Sequence, residues 1–133
     1  MENQLKKYFG YEKFRPLQKE IIERVLLGED SVVLMPTGGG KSLCFQLPAL
    51  ILEGVAIVIS PLISLMKDQV DALCANGIAA DFINSSMTPN KIYEVMEKAA
   101  AGKLKIIYIA PERLSVPGFE NFLHALCINV IAI

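Results

Sequence analysis

Short apolar runs, mostly β-branched, alternate along this chain with longer stretches in which apolar positions recur every three or four residues. Ser31–Met35, Val55–Ile59, Ile106–Ile109 and Val130–Ile133 read as buried strands, with Ile78–Ile83 as a further candidate. The runs are continuous rather than alternating, which suits strands covered on both faces of a parallel sheet. Leu17, Ile21, Ile22, Val25 and Leu26 form one helical stripe, with Pro16 at the favoured first position. A helix over Lys41–Leu52 follows the first strand, and Leu65, Met66, Val70 and Leu73 form the next stripe. Thr88 is placed to cap a helix with Pro89 in its first turn and Ile92, Val95, Met96 and Ala99 on its buried face. Phe119, Phe122, Leu123 and Leu126 stripe the last helix. Gly28, Gly54, Gly77 and Gly102 each stand just before a strand, where a left-handed helix cap belongs.

Strands alternating with helices predict an α/β fold, a parallel sheet sandwiched by helices with right-handed crossovers. No Pro/Ser-rich linker divides the chain, so residues 1–133 read as part of one domain. The sequence stops inside the fifth predicted strand with no helix after it, and is therefore expected to be a fragment of a longer protein.

Composition narrows the function classes. Of 133 residues, 53% are apolar and 20% charged, which excludes a disordered or low-complexity chain and leaves enough apolar surface for a core. The uncharged stretch Gly54–Met66 is interrupted by Ser60, Pro61 and Ser64 and is shorter than the ~20 apolar residues of a membrane span. The N-terminal MENQLKKYFG has no apolar signal-peptide region. A net charge of −1 means that any nucleic-acid contact comes from a few placed groups rather than bulk charge. Three widely spaced cysteines, Cys44, Cys74 and Cys127, make no disulfide framework and fit a reducing cytoplasm.

The strongest chemical signal is Met35-Pro36-Thr37-Gly38-Gly39-Gly40-Lys41-Ser42, which follows a predicted strand and opens a predicted helix. Glycines let backbone N–H groups approach phosphate oxygens with no Cβ in the way, and the helix N-terminus adds positive potential. Lys41 would reach the β- and γ-phosphates of ATP, and Ser42 would offer its hydroxyl to Mg²⁺. The strict phosphate-loop pattern asks for glycine where Met35 stands, but Thr37, Gly38, Gly39, Gly40, Lys41 and Ser42 retain the mechanism. The plain alternative is a glycine-rich turn before a helix. A dinucleotide fold fits less well still, because Leu43 occupies the place of its third glycine.

MPTGGGKS (35–42), SPLISLMKDQV (60–70) and APERL (110–114), with FRPLQ (14–18) ahead of them, together resemble the RecQ family of DNA helicases in helicase superfamily two. Met35 is no departure from that family. The resemblance implies a RecA-like motor domain, here its N-terminal part, and ATP-driven DNA unwinding with 3′-to-5′ polarity in the parent protein. It implies that Gln18 reads the adenine edge with Tyr11 and Arg15 helping to hold the base. It also implies that Ser60, Ser64, Lys67 and Arg113 lie along single-stranded DNA. The family's acidic Asp-Glu-Ala-His box, its second motor domain with an arginine finger, and its zinc-binding and winged-helix regions do not occur in these 133 residues. The fragment alone is accordingly expected to hydrolyse no ATP. A bacterial cytoplasm or nucleoid is the expected location.

Bland readings stand beside these. Gln18 alone suits a solvated helix position, and Tyr11 beside Phe9 and Phe14 suits packing. Without the resemblance, Ser60-Pro61 equally suits a simple helix start, and Glu112 with Arg113 suits a solvated pair. His124 and Cys127 share a helix face but lack the further ligands of a zinc site, so no structural zinc is expected, and the three cysteines read as core residues. Two other functions remain open: an RNA helicase of the same superfamily, against which SPLISLMKDQV argues, and a nucleotide-binding regulatory module that never hydrolyses.

Overall fold

The computed structural model describes residues 1–32 and 40–133. Predicted strand Ser31–Met35 lies outside the described residues beyond Val32, and Ser31 and Val32 carry no regular structure. The chain divides into two compact units, Met1–Glu53 and Gly54–Ile133.

The first unit is helical: α1 (Glu2–Phe9), α2 (Gln18–Leu26) and α3 (Leu43–Ile51). Leu5, Ile22, Leu43 and Leu47 form its core, with Phe9, Phe14, Leu26 and Ile51 packed around them. Helix α1 is absent from the sequence reading, because Leu5 is its only buried position and gives no stripe. Two boundaries differ from expectation. Pro16 does not open α2; it stands in a turn in which the Gln18 N–H donates to the Arg15 carbonyl at 3.1 Å. Leu17 follows with φ 71° and ψ −18°, the geometry of a type II turn with proline at its second position. Leu17 is therefore 58% exposed rather than on the buried stripe. Helix α3 opens at Leu43, not Lys41, and includes a buried Pro48.

The second unit holds β1 (Val55–Ile59), α4 (Ile63–Ala75), β2 (Ala80–Ile83), α5 (Pro89–Ala100), β3 (Ile106–Ile109), a 3-10 turn (Pro111–Ser115), α6 (Phe119–His124) and β4 (Ile128–Ala132). Among the described residues the strands form one all-parallel sheet in the order β2-β3-β1-β4. Alternate residues of each strand face opposite ways. Val55, Ile57, Ile83, Ile107 and Ile109 pack with Ile92, Val95 and Ala99 of α5 and Phe119 of α6. On the other face Tyr108 reaches Gln69 of α4 through its hydroxyl. Helices thus flank both faces, as the continuous apolar runs predict. No helix among the described residues is long and apolar enough to cross a membrane.

The Thr88 cap forms as read: its hydroxyl accepts from the Lys91 N–H at 3.3 Å. Leu65 does not join the α4 stripe and is 41% exposed, whereas Met66, Val70 and Leu73 are buried. Met96 is half-buried against the α5 side of the core. Cys44 is buried, but Cys74 and Cys127 are exposed, contrary to the core reading. Both sit near helix or strand ends, where periodicity is a poor guide to burial.

Gly54 joins the start of β1 to the chain before β4. Its φ is +99°, and a Cβ there would lie 2.2 Å from the Cys127 carbonyl oxygen. That oxygen accepts from the Val55 N–H at 2.8 Å, so the approach is fixed by the sheet itself. Gly54→Ala is expected to destabilise the protein by about 2 kcal/mol or more, from the left-handed backbone and the clash together. The urea midpoint measures it, and an unchanged midpoint contradicts the tight approach.

Candidate functional site

In the first unit, Gln18 is the buried centre of the base-reading candidates, at 3% exposure. Its Oε1 accepts from the Arg15 backbone N–H at 2.7 Å, and its Nε2 donates to the Gly40 carbonyl at 3.1 Å. The side chain therefore ties the Arg15–Gln18 turn to the last glycine of the phosphate-loop sequence, 22 residues away. The tie accounts for the left-handed Leu17, the one non-glycine residue with positive φ among those described. A conformation costing about 1–2 kcal/mol persists where surrounding bonds over-determine it.

Each tether uses half of an amide atom's capacity. One Nε2 hydrogen and one Oε1 lone pair are left, the combination that adenine's neighbouring donor and acceptor match. Gly40 has φ +81°, and a Cβ on it would meet Gln18 Nε2 at 2.2 Å. The left-handed φ calls for glycine here, and a Cβ would push the Gln18 amide aside from its bond to the Gly40 carbonyl. Arg15 and Tyr11 are both exposed, Tyr11 at 53%, so Tyr11 is not the packing aromatic of the bland reading. An open cleft of about 390 Å³ lies along Phe14, Arg15 and Leu17, though neither Gln18 nor Gly40 lines it.

Lys41 is exposed in the turn ahead of α3, and Ser42 is the half-buried residue before its first. Helical bonding has begun here: the Cys44 N–H donates to the Lys41 carbonyl at 3.0 Å and the Gln46 N–H to the Ser42 carbonyl at 3.0 Å. A glycine with left-handed φ, an exposed ammonium and a hydroxyl at a helix start fit a nucleotide triphosphate with its Mg²⁺. Thr37, Gly38 and Gly39 lie outside the described residues. Burial pushes the neighbouring Cys44 thiol up, which keeps it a neutral core group.

In the second unit, the DNA-contact candidates gather at the carboxyl ends of adjacent strands, where open α/β sheets bind ligands. Ser60 follows β1, and its N–H donates to the Ile109 carbonyl at 3.1 Å, locking the ends of β1 and β3 together. Its hydroxyl lies 3.4 Å from the Leu62 N–H and accepts from it. Ser64 is exposed in the first turn of α4. Lys67 is exposed one turn on, 2.8 Å from the Asp71 carboxylate, whose hydrogen bond holds the ammonium above its ordinary range. Arg113 follows β3 and is half-buried, its guanidinium 5.0 Å over the Phe119 ring. It makes no ion pair with Glu112 among the described residues, and its Nε is buried without a hydrogen-bond partner. Stacking on Phe119 fixes the direction of the guanidinium. His124 faces Glu120 at 3.4 Å, and no group of three metal-ligating side chains occurs among the described residues.

The sequence reading misses one residue of this edge. Asn84, directly after β2, is fully buried and bonded within its own turn. The turn-forming run Asn84-Ser85-Ser86 after an apolar strand is the signal that marks it.

An exposed lysine, a half-buried serine at a helix start, a tethered glutamine and a parallel sheet with polar strand ends fit an α/β domain that binds a nucleotide. The DEAD/DEAH box helicase family model matches residues 15–130, and the chain belongs to that family. Over 125 residues it is 50% identical to the ATP-dependent DNA helicase RecQ of Pasteurella multocida strain Pm70, covering 94% of this chain and 20% of that protein. It is 51% identical over 127 residues to the RecQ of Bacillus subtilis strain 168, covering 95% of this chain and 22% of that protein. A putative ATP-dependent DNA helicase Q1 of Caenorhabditis elegans is 44% identical over 113 residues, 84% of this chain and 18% of that protein. The chain spans about a fifth of the length of the curated relatives it matches.

Proposed function

We propose that this chain is the ATP-binding segment of an ATP-dependent DNA helicase, in which ATP hydrolysis drives unwinding. The observation that carries the nucleotide half is the Gln18 bond to Gly40, which brings an adenine-matching amide to the phosphate-loop sequence. The RecQ relatives, named for acting on DNA, support the substrate.

Tyr11, Arg15 and Gln18 hold the base. Thr37, Gly38, Gly39, Gly40 and Lys41 hold the phosphates, and Ser42 supplies a hydroxyl to Mg²⁺. The metal would neutralise charge on the β- and γ-phosphates. Ser60, Ser64, Lys67 and Arg113 bind the backbone of single-stranded DNA, through hydroxyls, an ammonium and a guanidinium that suit phosphate oxygens. A cytoplasmic or nucleoid location goes with this reading.

The test uses the full-length protein carrying this chain. It is expected to separate a duplex with a 3′ single-stranded tail in the presence of ATP and Mg²⁺, and not one with a 5′ tail. Tight binding of ATP without strand separation on either substrate would favour a non-hydrolysing regulatory module instead.

A further inference from the structure

Asn84 is the one fully buried polar side chain in the described part of the second unit. Its Oδ1 accepts from the Ser86 N–H at 2.9 Å and from the Ser86 hydroxyl. Its Nδ2 donates to the Met66 thioether at 3.9 Å. Its own carbonyl accepts from the Met87 N–H at 3.4 Å. A thioether is a weak acceptor, so a buried amide with this partner is a poor choice for stability alone. What the amide does achieve is geometric. It joins the turn after β2 to helix α4 at Met66, which adjoins Lys67 and lies two residues after Ser64.

The sheet order gives that join a direction. β2 lies beside β3, and β3 beside β1, all parallel. The turns after β2, β3 and β1 therefore stand side by side at one edge, about 5 Å apart from strand to strand. Backbone bonds stitch them: Ala110 N–H to Ile83 carbonyl at 3.0 Å, and Ser60 N–H to Ile109 carbonyl at 3.1 Å. Two of the three turns already carry DNA-contact candidates, Arg113 and Ser60. The third presents exposed Ser85, whose hydroxyl can donate to a phosphate, beside Ser86, which gives both its donors to Asn84 Oδ1 and so fixes the turn.

We infer that Asn84 is a positioning residue for DNA: it holds the Ser85–Ser86 turn and the start of α4 in one arrangement, making the turn a third backbone-contacting element of this edge. The inference rests on the DNA-motor reading above. Asn84 itself, being buried, touches no DNA and acts through Ser86 and Met66.

The experiment measures ATP hydrolysis by the full-length protein against single-stranded DNA concentration. Asn84→Ala is expected to raise the half-saturating DNA concentration about fivefold, with the KM for ATP and the DNA-free rate changed by less than about twofold, in line with losing one to two hydrogen bonds. Asn84→Asp keeps the acceptor for Ser86 but loses the Nδ2 donor to Met66 and buries a carboxylate, so it is expected to recover only part of the loss. Ser86→Ala, at an exposed position that folding tolerates, is expected to shift the half-saturating DNA concentration in the same direction, which keeps the test available if Asn84→Ala fails to fold. An unchanged DNA requirement in Ser86→Ala and in any folded Asn84 variant overturns the inference. So does an Asn84→Ala protein whose DNA-free rate falls in step with its thermal midpoint while its DNA requirement stays fixed. An unmutated protein that DNA does not stimulate at all removes the motor reading itself, an outcome distinct from either.

Discussion

Replacing Lys41 with alanine is expected to abolish ATP hydrolysis by the full-length protein while leaving the fold intact. The side chain is exposed ahead of α3, so its removal opens no cavity and breaks no core contact. Its neighbours Gly40 and Ser42 keep their backbone roles, because the bonds at this junction come from carbonyls and N–H groups. On the proposed reading, what is lost is a cation that would stabilise the charge developing on the transferred phosphoryl group. Removing one such stabilising donor lowers turnover by about a hundredfold or more. Circular dichroism checks the fold and a phosphate-release assay checks turnover. A folded Lys41→Ala protein with normal turnover removes the phosphate-loop assignment.

Gln18→Ala is expected to have the second largest effect, and a composite one. The unmutated protein should use ATP in preference to GTP by about tenfold in kcat/KM, because guanine presents the wrong donor and acceptor to the free N–H and lone pair of Gln18. In Gln18→Ala the ATP rate falls and the gap to GTP narrows. The fall has two sources: the lost base contact, and the lost tether between Arg15 and Gly40. Freed of the tether, the Arg15–Gln18 turn relaxes its left-handed Leu17. Competition assays with the two nucleotides measure the selectivity. Equal use of ATP and GTP by the unmutated protein takes Gln18 out of base recognition and leaves it a structural strut.

The two central strands were legible because burial on both faces leaves them no polar position. β1 and β3 run over Val55–Ile59 and Ile106–Ile109, the bounds that their apolar runs predict. β4 starts two residues earlier than its run, because Asn129 sits in a register shift between pairs Val55–Ile128 and Ala56–Val130 and breaks the apolar pattern. β2 starts later than its run, since Ile78 is buried just ahead of the strand by following a helix cap rather than by pairing. Proline misled at α2. It fixes φ near the value shared by the first turn of a helix and the second position of a type II turn, so Pro16 alone does not separate them. Residue identity singled out Gln18 as a candidate but not its bond to Gly40, which links α2 to a loop 22 residues on and leaves no local spacing. The turn at Asn84 carries a local mark in Asn84-Ser85-Ser86, but its reach to Met66 does not, being a tertiary contact between segments 18 residues apart.

The proposed motor is one in which DNA turns on ATP hydrolysis. The most direct measurement is the steady-state ATPase rate of the full-length protein with no nucleic acid, with single-stranded DNA and with single-stranded RNA of the same sequence. A low basal rate, strong stimulation by DNA, little by RNA, and loss of the stimulated rate in Lys41→Ala are expected. A rate that DNA leaves unchanged, or one that RNA stimulates in its place, contradicts the proposed motor.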